Sequence, residues 1–250
     1  MTGFIDGLFS LESKVALVSG ASRGIGLTIA QSFSKAGATV FGVGRSPAVE
    51  QVEQILYQQC DISDQKHFSQ ICQDIFSKNG SLDIYVHAAG ITNPNISKEI
   101  EFNSFNETLA INLIAAYSCC SVVLRYMCQQ GSGSIINITS IASVLGFPNN
   151  PGYVASKGGL RMLTKALAID MAEKNIRINN LAPGYIHTSM TEKSFRDPIK
   201  HMERQDRMII KRWGKPQDLV GAAIFLASDA SAYITGQDIF VDGGWTAKGL

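Results

Sequence analysis

The sequence lacks a long apolar run, an excess of charge of one sign and a recognisable targeting segment. Its longest apolar stretch, near residues 219–227, is too short to span a bilayer. Residues 1–10 lack the basic segment and apolar run of a secretory signal. With 22 basic and 21 acidic residues, the net charge of +1 gives no reason to expect nucleic acid or an anionic membrane as a partner. We therefore expect a cytoplasmic protein with no nucleic-acid or membrane partner.

The 5 cysteines form no C-x-x-C pair and no metal-ligand spacing with histidine. An odd number without a disulfide framework suits a reducing compartment. The simplest interpretation is that they are small buried hydrophobic residues. No metal site is predicted. The cysteines are Cys60, Cys72, Cys119, Cys120 and Cys128.

Apolar strands alternate with helical patterns along the chain. Strands are predicted at residues 14–19, 38–43, 54–59, 82–87, 134–139, 176–181 and 238–241. Helices are predicted at residues 25–36, 64–78, 105–129, 152–174 and 218–227. This alternation predicts one α/β domain over residues 1–250, a Rossmann-type, doubly wound parallel sheet of about seven strands flanked by helices. The long irregular stretch that follows the sixth strand predicts a substrate lobe or lid at about residues 184–213.

A glycine-rich turn joins the first strand to the first helix, where residues 20–26 read G-A-S-R-G-I-G. Gly20 permits the tight turn, Gly24 lets the backbone approach a pyrophosphate, and Gly26 allows close packing of helix on strand. The helix N-terminus adds unpaired N–H groups and a favourable dipole for an anion. We expect a dinucleotide to be bound here by Gly20, Ser22, Arg23, Gly24, Ile25 and Gly26.

The end of the second strand favours NADP(H) over NAD(H). NAD-dependent proteins carry an acidic residue there for the ribose hydroxyls, whereas this chain has Arg45 and Ser46. An arginine is well suited to a 2′-phosphate, and Arg23 lies toward the same region. If Arg45 is only a solvated loop residue, NAD(H) remains possible. Asp61 and Ile62 follow the third strand, where Asp61 could accept a hydrogen bond from the adenine amine.

Tyr153 and Lys157 are spaced to lie on one face of a helix, one turn apart. A phenol titrates near pH ~10, so it is a poor base at neutral pH. An ammonium group beside it favours the phenolate and is expected to lower its pKa. The pair suits proton transfer to or from a substrate hydroxyl, although the same spacing also occurs on ordinary helix surfaces.

Together and in order, these motifs resemble the short-chain dehydrogenase/reductase family over nearly the whole chain. The motifs are the glycine turn, Asp61, Ala88-Ala89-Gly90, Asn112 in a long helix, Ser140, Tyr153-x-x-x-Lys157, Pro183-Gly184 and the final Val241-Asp242-Gly243-Gly244. The resemblance implies an NAD(P)-binding Rossmann-type sheet and a homotetramer or homodimer. The two helices at residues 105–129 and 152–174 would then be the packing surfaces.

The resemblance also implies roles for individual residues. Tyr153 would be the general acid/base, Lys157 would assist it and bind the nicotinamide ribose, and Ser140 would hydrogen-bond the substrate oxygen. Asn112 would hold a water that links Lys157 to solvent. Ser140 could instead be a turn former, and Asn112 could be a structural residue that kinks its helix. Further cofactor contacts are expected from Ala88, Ala89, Gly90, Pro183, Gly184, Ile186 and Thr188.

Two histidines lie near the expected site. The family's Asn-Asn-Ala-Gly turn is replaced here by His87-Ala88-Ala89-Gly90, which removes amide side chains that brace the central strands. A structural role for His87 is the preferred interpretation over a catalytic one. His187 lies nearer the expected substrate mouth and is interpreted as an exposed loop residue.

The substrate is expected to be a small molecule. The run Arg212-Trp213-Gly214-Lys215-Pro216 resembles the gluconate 5-dehydrogenase and 2-deoxygluconate 3-dehydrogenase branches, which act on secondary alcohols of sugar acids and polyols. The 3-oxoacyl thioester reductases share most of the framework and are the alternative. Tyr185 and Met190 would line the pocket with Ser140 and Tyr153. Basic residues of the lobe could meet a carboxylate or phosphopantetheine, or could form a solvated helix face.

A non-catalytic regulator that binds a nucleotide is the remaining alternative. The presence of Ser140, Tyr153 and Lys157 together argues against a decayed catalytic site. The sequence therefore predicts an enzyme, an oxidoreductase that interconverts a secondary alcohol and a ketone.

Overall fold

The computed structural model describes residues 3–47, 54–94 and 102–248. Its described part contains a parallel sheet of 7 strands in the order β3-β2-β1-β4-β5-β6-β7. The strands are β1 Val15–Ser19, β2 Thr39–Gly44, β3 Ile55–Gln59, β4 Ile84–His87, β5 Gly133–Ile138, β6 Ile176–Pro183 and β7 Asp238–Val241. The predicted fold class and all the predicted strands are confirmed, with boundaries that differ by at most two residues.

Helices cover both faces of this sheet. They are α1 Phe4–Phe9, α2 Gly24–Lys35, α3 Gln65–Asn79, α4 Phe102–Leu109, α5 Ala115–Gln130, α6 Pro151–Met171, α7 Glu192–Arg196, α8 Pro198–Arg207 and α9 Val220–Ala227. Short 3-10 turns precede α9 and follow α6. The sequence did not predict α1, α7 or α8, and the last two are exposed helices of the predicted lobe.

The single helix predicted at residues 105–129 has an interruption. A π-helical segment, Ala110–Ile114, separates α4 from α5. A π segment adds a residue to one helical turn and rotates the side chains that follow, and such segments are frequent at functional sites. The predicted helix is therefore confirmed in its place, but its regular geometry is corrected at the position of Asn112.

Alternate residues of the central strands point to opposite faces and form two apolar layers. On one face, Leu17, Tyr85 and Ile135 pack with the inner sides of α3 and α5. On the other face, Val18 and Ile136 pack with α2 and α9. Because both faces are covered, the strand sequences are continuously apolar rather than alternating.

A chain of buried hydrogen bonds fixes α6 to the sheet. Asn137 on β5 donates to Thr164 on α6 at 2.8 Å, and Thr164 donates to Asn180 on β6 at 2.7 Å. Asn180 then donates to Asp238 on β7 at 2.8 Å, and Arg161 on α6 donates to the same carboxylate at 2.7 Å. Each polar side chain in this network has a hydrogen-bond partner, so the network makes this side of the sheet rigid.

One helical stretch, Phe102–Gln130, is long and apolar enough to cross a membrane by length and composition, with a mean hydropathy of 1.6. The sequence analysis overlooked it because polar residues interrupt the run. Half of its most apolar window is buried inside the protein, and Cys120, Val123 and Met127 belong to the core. A core helix of this kind passes the same test, so the absence of a membrane partner stays a prediction.

Candidate active site

A cleft of about 470 Å³ opens at the carboxyl ends of β1, β2 and β4. In a doubly wound sheet this is where the strand order reverses and where ligands bind. The predicted residues that line it are Gly20, Ser22, Arg23, Gly24, Ile25, Gly26, Arg45, Ser46, Asp61, Ile62, Ala88, Ala89, Gly90, Thr188 and Met190. The sequence analysis missed other lining residues, among them Thr92, Asn93 and Ile111, because backbone placement rather than residue type brings them here.

The glycine turn forms a cradle that larger residues would fill. Gly20 has a φ of 71°, and a Cβ there would lie 2.7 Å from the backbone nitrogen of Ala89. A Cβ on Gly26 would collide with the carbonyl oxygen of Gly20. Helix α2 begins at Gly24 beside the cleft, and no side chain caps it at Arg23. These features fit the pyrophosphate of a dinucleotide.

Two arginines line the cleft near the carboxyl ends of β1 and β2. Arg23 and Arg45 are exposed, and the ion pairs of the described residues include neither of them. The carboxylate of Asp61 accepts hydrogen bonds from the Ser63 hydroxyl at 2.7 Å and the Ser63 N–H at 2.9 Å. These bonds lower the pKa of Asp61. Its predicted contact with adenine stays a prediction.

Tyr153 on α6 lies beside Ser140, which follows β5. Burial raises the pKa of the Tyr153 phenol, and the nearby Ser140 hydroxyl acts in the opposite direction. The sequence predicted a lowered pKa for this tyrosine. For the protein's own groups that prediction is wrong, because desolvation raises the pKa more than the neighbouring side chains lower it. Ser140 also accepts a hydrogen bond from the N–H of Ala142 at 3.1 Å. It therefore also has the turn-forming role that the sequence left open.

Lys157 is a buried cation with one hydrogen bond to the protein. It donates to the carbonyl of Ile138 at 2.7 Å, and its nitrogen lies 5.7 Å from the centre of the Tyr153 ring. Burial lowers the pKa of Lys157 to about 8. The ammonium is thus charged at neutral pH but easily deprotonated. It lies over the tyrosine ring and forms no hydrogen bond with another side chain of the described residues.

Asn112 lies in the π segment and clamps the backbone that follows β4. Its side-chain oxygen accepts from the N–H of Ile91 at 2.8 Å, and its amide donates to the carbonyl of Ile91 at 2.9 Å. The amide also donates to Ser156 at 3.1 Å. These bonds favour the structural role that the sequence left open, and the water-holding role stays a prediction. A Cβ on Gly90 would lie 3.1 Å from Asn112 and 3.7 Å from Lys157.

His87 is completely buried and braces the central strands. Its Nδ1 lies 2.9 Å from the Tyr85 hydroxyl and 3.3 Å from the Ser19 hydroxyl. Burial, with a smaller effect of the Lys157 charge, lowers the pKa of His87 to about 3, so the ring is neutral. These contacts agree with the structural interpretation. His187 is partly exposed, and its Nε2 lies 2.7 Å from Glu192.

The residues after β6 divide between scaffold and cleft. Gly184 donates to the carbonyl of Val241 at 3.0 Å and, with Pro183, holds β6 against β7. The side chain of Ile186 is buried in the core, and its carbonyl accepts a hydrogen bond from the Thr191 hydroxyl at 2.6 Å. Among these predicted cofactor contacts, Thr188 alone lines the cleft. The others stay predictions.

An aromatic cluster joins the site to the lobe. The ring of Tyr185 lies 6.3 Å from Phe147, 5.3 Å from Trp213 and 4.9 Å from Trp245. Arg204 of α8 packs over Tyr185 at 4.5 Å. The sequence predicted Tyr185 as a pocket residue but missed its partners, since they are separated along the chain. Met190 lines the cofactor cleft rather than this cluster.

The doubly wound sheet, the glycine cradle and the adjacent Ser140, Tyr153 and Lys157 together define a nucleotide-dependent oxidoreductase. Residues 20–246 match the family model described as enoyl-(acyl carrier protein) reductase. The chain belongs to the short-chain dehydrogenase/reductase family, and it is an enzyme of that family.

Relatives of two kinds cover nearly the whole chain. The chain is 35% identical to 2-dehydro-3-deoxy-D-gluconate 5-dehydrogenase of Dickeya dadantii (strain 3937), with 96% of this chain and 98% of that protein covered. It is 38% identical to 3-oxoacyl-(acyl-carrier-protein) reductase FabG of Chlamydia trachomatis serovar D, with 94% of this chain and 98% of that protein covered. The solved gluconate 5-dehydrogenase from Burkholderia cenocepacia J2315, in complex with NADP and tartrate, has a TM-score of 0.93 at 33% identity, covering 98% of this chain and 100% of that one.

Proposed function

We propose that this enzyme uses NADP(H) to interconvert a secondary alcohol and a ketone on a small sugar acid or polyol. The observation that carries the proposal is that Ser140 and Lys157 both lie beside Tyr153, and that Lys157 approaches Gly90, which lines the same cleft as the glycine turn. Similarity to a 2-dehydro-3-deoxy-D-gluconate 5-dehydrogenase supports the substrate class.

In the proposed mechanism, Tyr153 transfers the proton to or from the substrate oxygen. NADP(H), when bound, supplies or accepts the hydride. In reduction, the Tyr153 hydroxyl protonates the oxygen of the forming alkoxide, and in oxidation the phenolate removes the hydroxyl proton. Ser140 donates to the same substrate oxygen and holds it against Tyr153. Lys157, whose nitrogen lies 5.7 Å from the centre of the Tyr153 ring, is proposed to assist the phenolate and to bind the nicotinamide ribose.

NADP(H) is the preferred cofactor because Arg45 and Arg23 line the cleft and form no ion pair among the described residues. The charge of Arg45 acts on the nearby Asp61, whose pKa it lowers. A neighbouring solved structure contains NADP. NAD(H) remains the second candidate. The cleft residues from Gly20 to Gly26, with Ala88, Ala89 and Gly90, would hold the pyrophosphate and nicotinamide ends.

Replacing Arg45 with aspartate is expected to raise the KM for NADPH by about 10- to 100-fold, because a charge-assisted contact is replaced by repulsion. The KM for NADH should fall or stay unchanged. Steady-state kinetics with both cofactors measures the ratio, and the exposed Lys35→Gln variant on α2 serves as the control. An unchanged ratio in Arg45→Asp would contradict the assignment of Arg45 to the 2′-phosphate.

The substrate class is tested with wild-type protein and a panel of ketones in the presence of NADPH. Keto sugar acids, neutral ketoses and acetoacetyl thioesters are compared by the loss of NADPH absorbance. We expect the sugar acids to be reduced with the highest kcat/KM. The thioester reductase is the second candidate, favoured by the 38% identity to a 3-oxoacyl reductase. Retained NADPH binding with no turnover of any ketone would favour the non-catalytic regulator.

The segment from residue 184 to 213 is proposed as the substrate lobe of a single domain that spans residues 1–250. Its helices α7 and α8 lie on the surface, and Arg204 of α8 packs over Tyr185, whose ring contacts Trp213. The lobe would cover the substrate and exclude water during hydride transfer.

We also propose a cytoplasmic location. Free thiols at the described cysteines support it.

A homotetramer or homodimer is proposed through α5 and α6. Tyr117 on α5 and Ile169 on α6 are 52% and 78% exposed, and such side chains favour burial against a second copy. The double variant Tyr117→Lys and Ile169→Lys is expected to elute as a monomer in size exclusion with light scattering. Ile199→Lys on α8, which changes an isoleucine that is 67% exposed, should leave the mass unchanged. A double variant with the wild-type oligomeric mass would contradict this surface.

A further inference from the structure

We infer that Arg204 and Trp213 form a carboxylate-binding subsite in the substrate pocket, so that the enzyme selects hydroxy and keto acids over neutral polyols and thioesters. The inference rests on the proposed function and specifies its substrate. It concerns a cation and an indole N–H that meet in the aromatic cluster around Tyr185.

Arg204 differs from three exposed basic residues of the lobe, which form ion pairs with acidic neighbours. These pairs are Arg196 with Glu192, Lys200 with Asp197, and Arg212 with Asp218. Arg204 forms no ion pair within the described residues, and its guanidinium is turned inward onto the Tyr185 ring. It therefore does not belong to a solvated helix face.

Two buried donors in this cluster lack a hydrogen-bond acceptor. The Arg204 Nη1 and the Trp213 Nε1 have no partner among the described residues, and Trp213 is only 7% exposed. The Arg204 guanidinium carbon lies 5.7 Å from the Trp213 ring. A buried donor without an acceptor costs about 1–3 kcal/mol. Two such donors close together point to an acceptor that the protein itself does not provide.

The chemistry of the donors selects the ligand. Both groups only donate, and one of them is always positively charged. A carboxylate offers two acceptor oxygens with negative charge, and it matches the planar guanidinium. A neutral polyol supplies no charge to balance Arg204. A 3-oxoacyl thioester carries sulfur and an uncharged chain at the equivalent position, so it leaves the arginine uncompensated.

The position of the subsite relative to Tyr153 is given by Tyr185. Phe147, seven residues after Ser140, packs against Tyr185 with ring centres 6.3 Å apart, and a negative charge on Tyr185 would raise the pKa of Tyr153. The guanidinium of Arg204 lies 4.5 Å from the centre of the same Tyr185 ring. A substrate whose carbonyl lies against Tyr153 and Ser140 would therefore reach the Arg204 region with its distal end.

The test compares acids with matched neutral analogues. Arg204→Gln is expected to lower kcat/KM for a keto sugar acid by about 10- to 100-fold, because a charged hydrogen bond is lost. Its kcat/KM for the methyl ester or amide of the same acid should change less than about twofold. Trp213→Phe, which replaces the indole by a phenyl ring and removes the N–H, should show a smaller loss in the same direction. Lys200→Gln on the same helix is the control.

A binding measurement separates this inference from the proposed function. D-gluconate is added to wild type and to Arg204→Gln with NADP⁺ present, and the rise in melting temperature is recorded. Loss of that rise in Arg204→Gln supports the subsite even if no ketone is turned over, a result that would overturn only the proposed function. Equal losses for acid and ester, or an unchanged gluconate shift in Arg204→Gln, would overturn the subsite. Arg204→Lys, which keeps the charge, should lie between wild type and Arg204→Gln.

Discussion

Tyr153→Phe is expected to lower kcat by about two to four orders of magnitude, the range that a positioned general acid/base contributes. The substitution removes one oxygen and leaves the ring, so the packing of α6 and the position of Lys157 should persist. Because the tyrosine is proposed to act on the substrate oxygen and not on the phosphates, the affinity for NADPH should stay within about threefold of wild type.

Stopped-flow or steady-state loss of NADPH absorbance measures the first quantity, and fluorescence titration of NADPH measures the second. Tyr233→Phe, which removes the hydroxyl of a fully exposed tyrosine, is the matched control and should retain full activity. If Tyr153→Phe kept more than about a tenth of the wild-type kcat, another group would have to transfer the proton and the proposed mechanism would be wrong.

His87→Asn is expected to make the protein more resistant to acid. In the wild type, burial lowers the pKa of His87 from 6.5 to about 3. Above pH 6.5 the ring is neutral in both the folded and the unfolded chain. As the pH falls below 6.5, only the unfolded chain gains a proton, so the free energy of unfolding decreases.

This decrease in the free energy of unfolding is about 1.4 kcal/mol per pH unit and reaches about 3 kcal/mol between pH 6.5 and pH 4.5. Urea unfolding at pH 7 and pH 4.5 measures it for wild type and His87→Asn. The variant should lose less stability over that interval, whatever its stability at pH 7. His67→Asn at the start of α3 is the control, since this histidine contacts an exposed glutamine. Equal losses in wild type and His87→Asn would exclude His87 as a source of acid sensitivity.

The sheet could be predicted because its signals are local. Each buried strand is a short apolar run that ends at a turn, and helices lie between the runs, which leaves few possible topologies. The glycine turn was equally predictable, since Gly20 needs a positive φ and Gly26 needs the absence of a Cβ. These requirements leave only glycine at two positions of one short segment.

The parts that escaped prediction depend on contacts between distant segments. Trp245 and Arg204 meet Tyr185 only after β6, α8 and the C-terminal turn have come together. The π segment depends on Asn112 reaching the backbone of Ile91, which no periodicity reveals. The pKa of Tyr153 was expected to fall because the spacing to Lys157 was visible in the sequence, whereas the burial that raises this pKa was not.

The hydrogen-bond chain from Asn137 through Thr164 and Asn180 to Asp238 has a consequence for how this enzyme can evolve. It fastens the helix of Tyr153 and Lys157 to three neighbouring strands, whereas the exposed helices α7 and α8 contribute no buried residue to the core. New specificities can thus arise by mutating the lobe alone. A library confined to residues 190–207 should yield altered substrate ranges with few inactive folds, and one directed at the fastening residues should yield mostly insoluble protein.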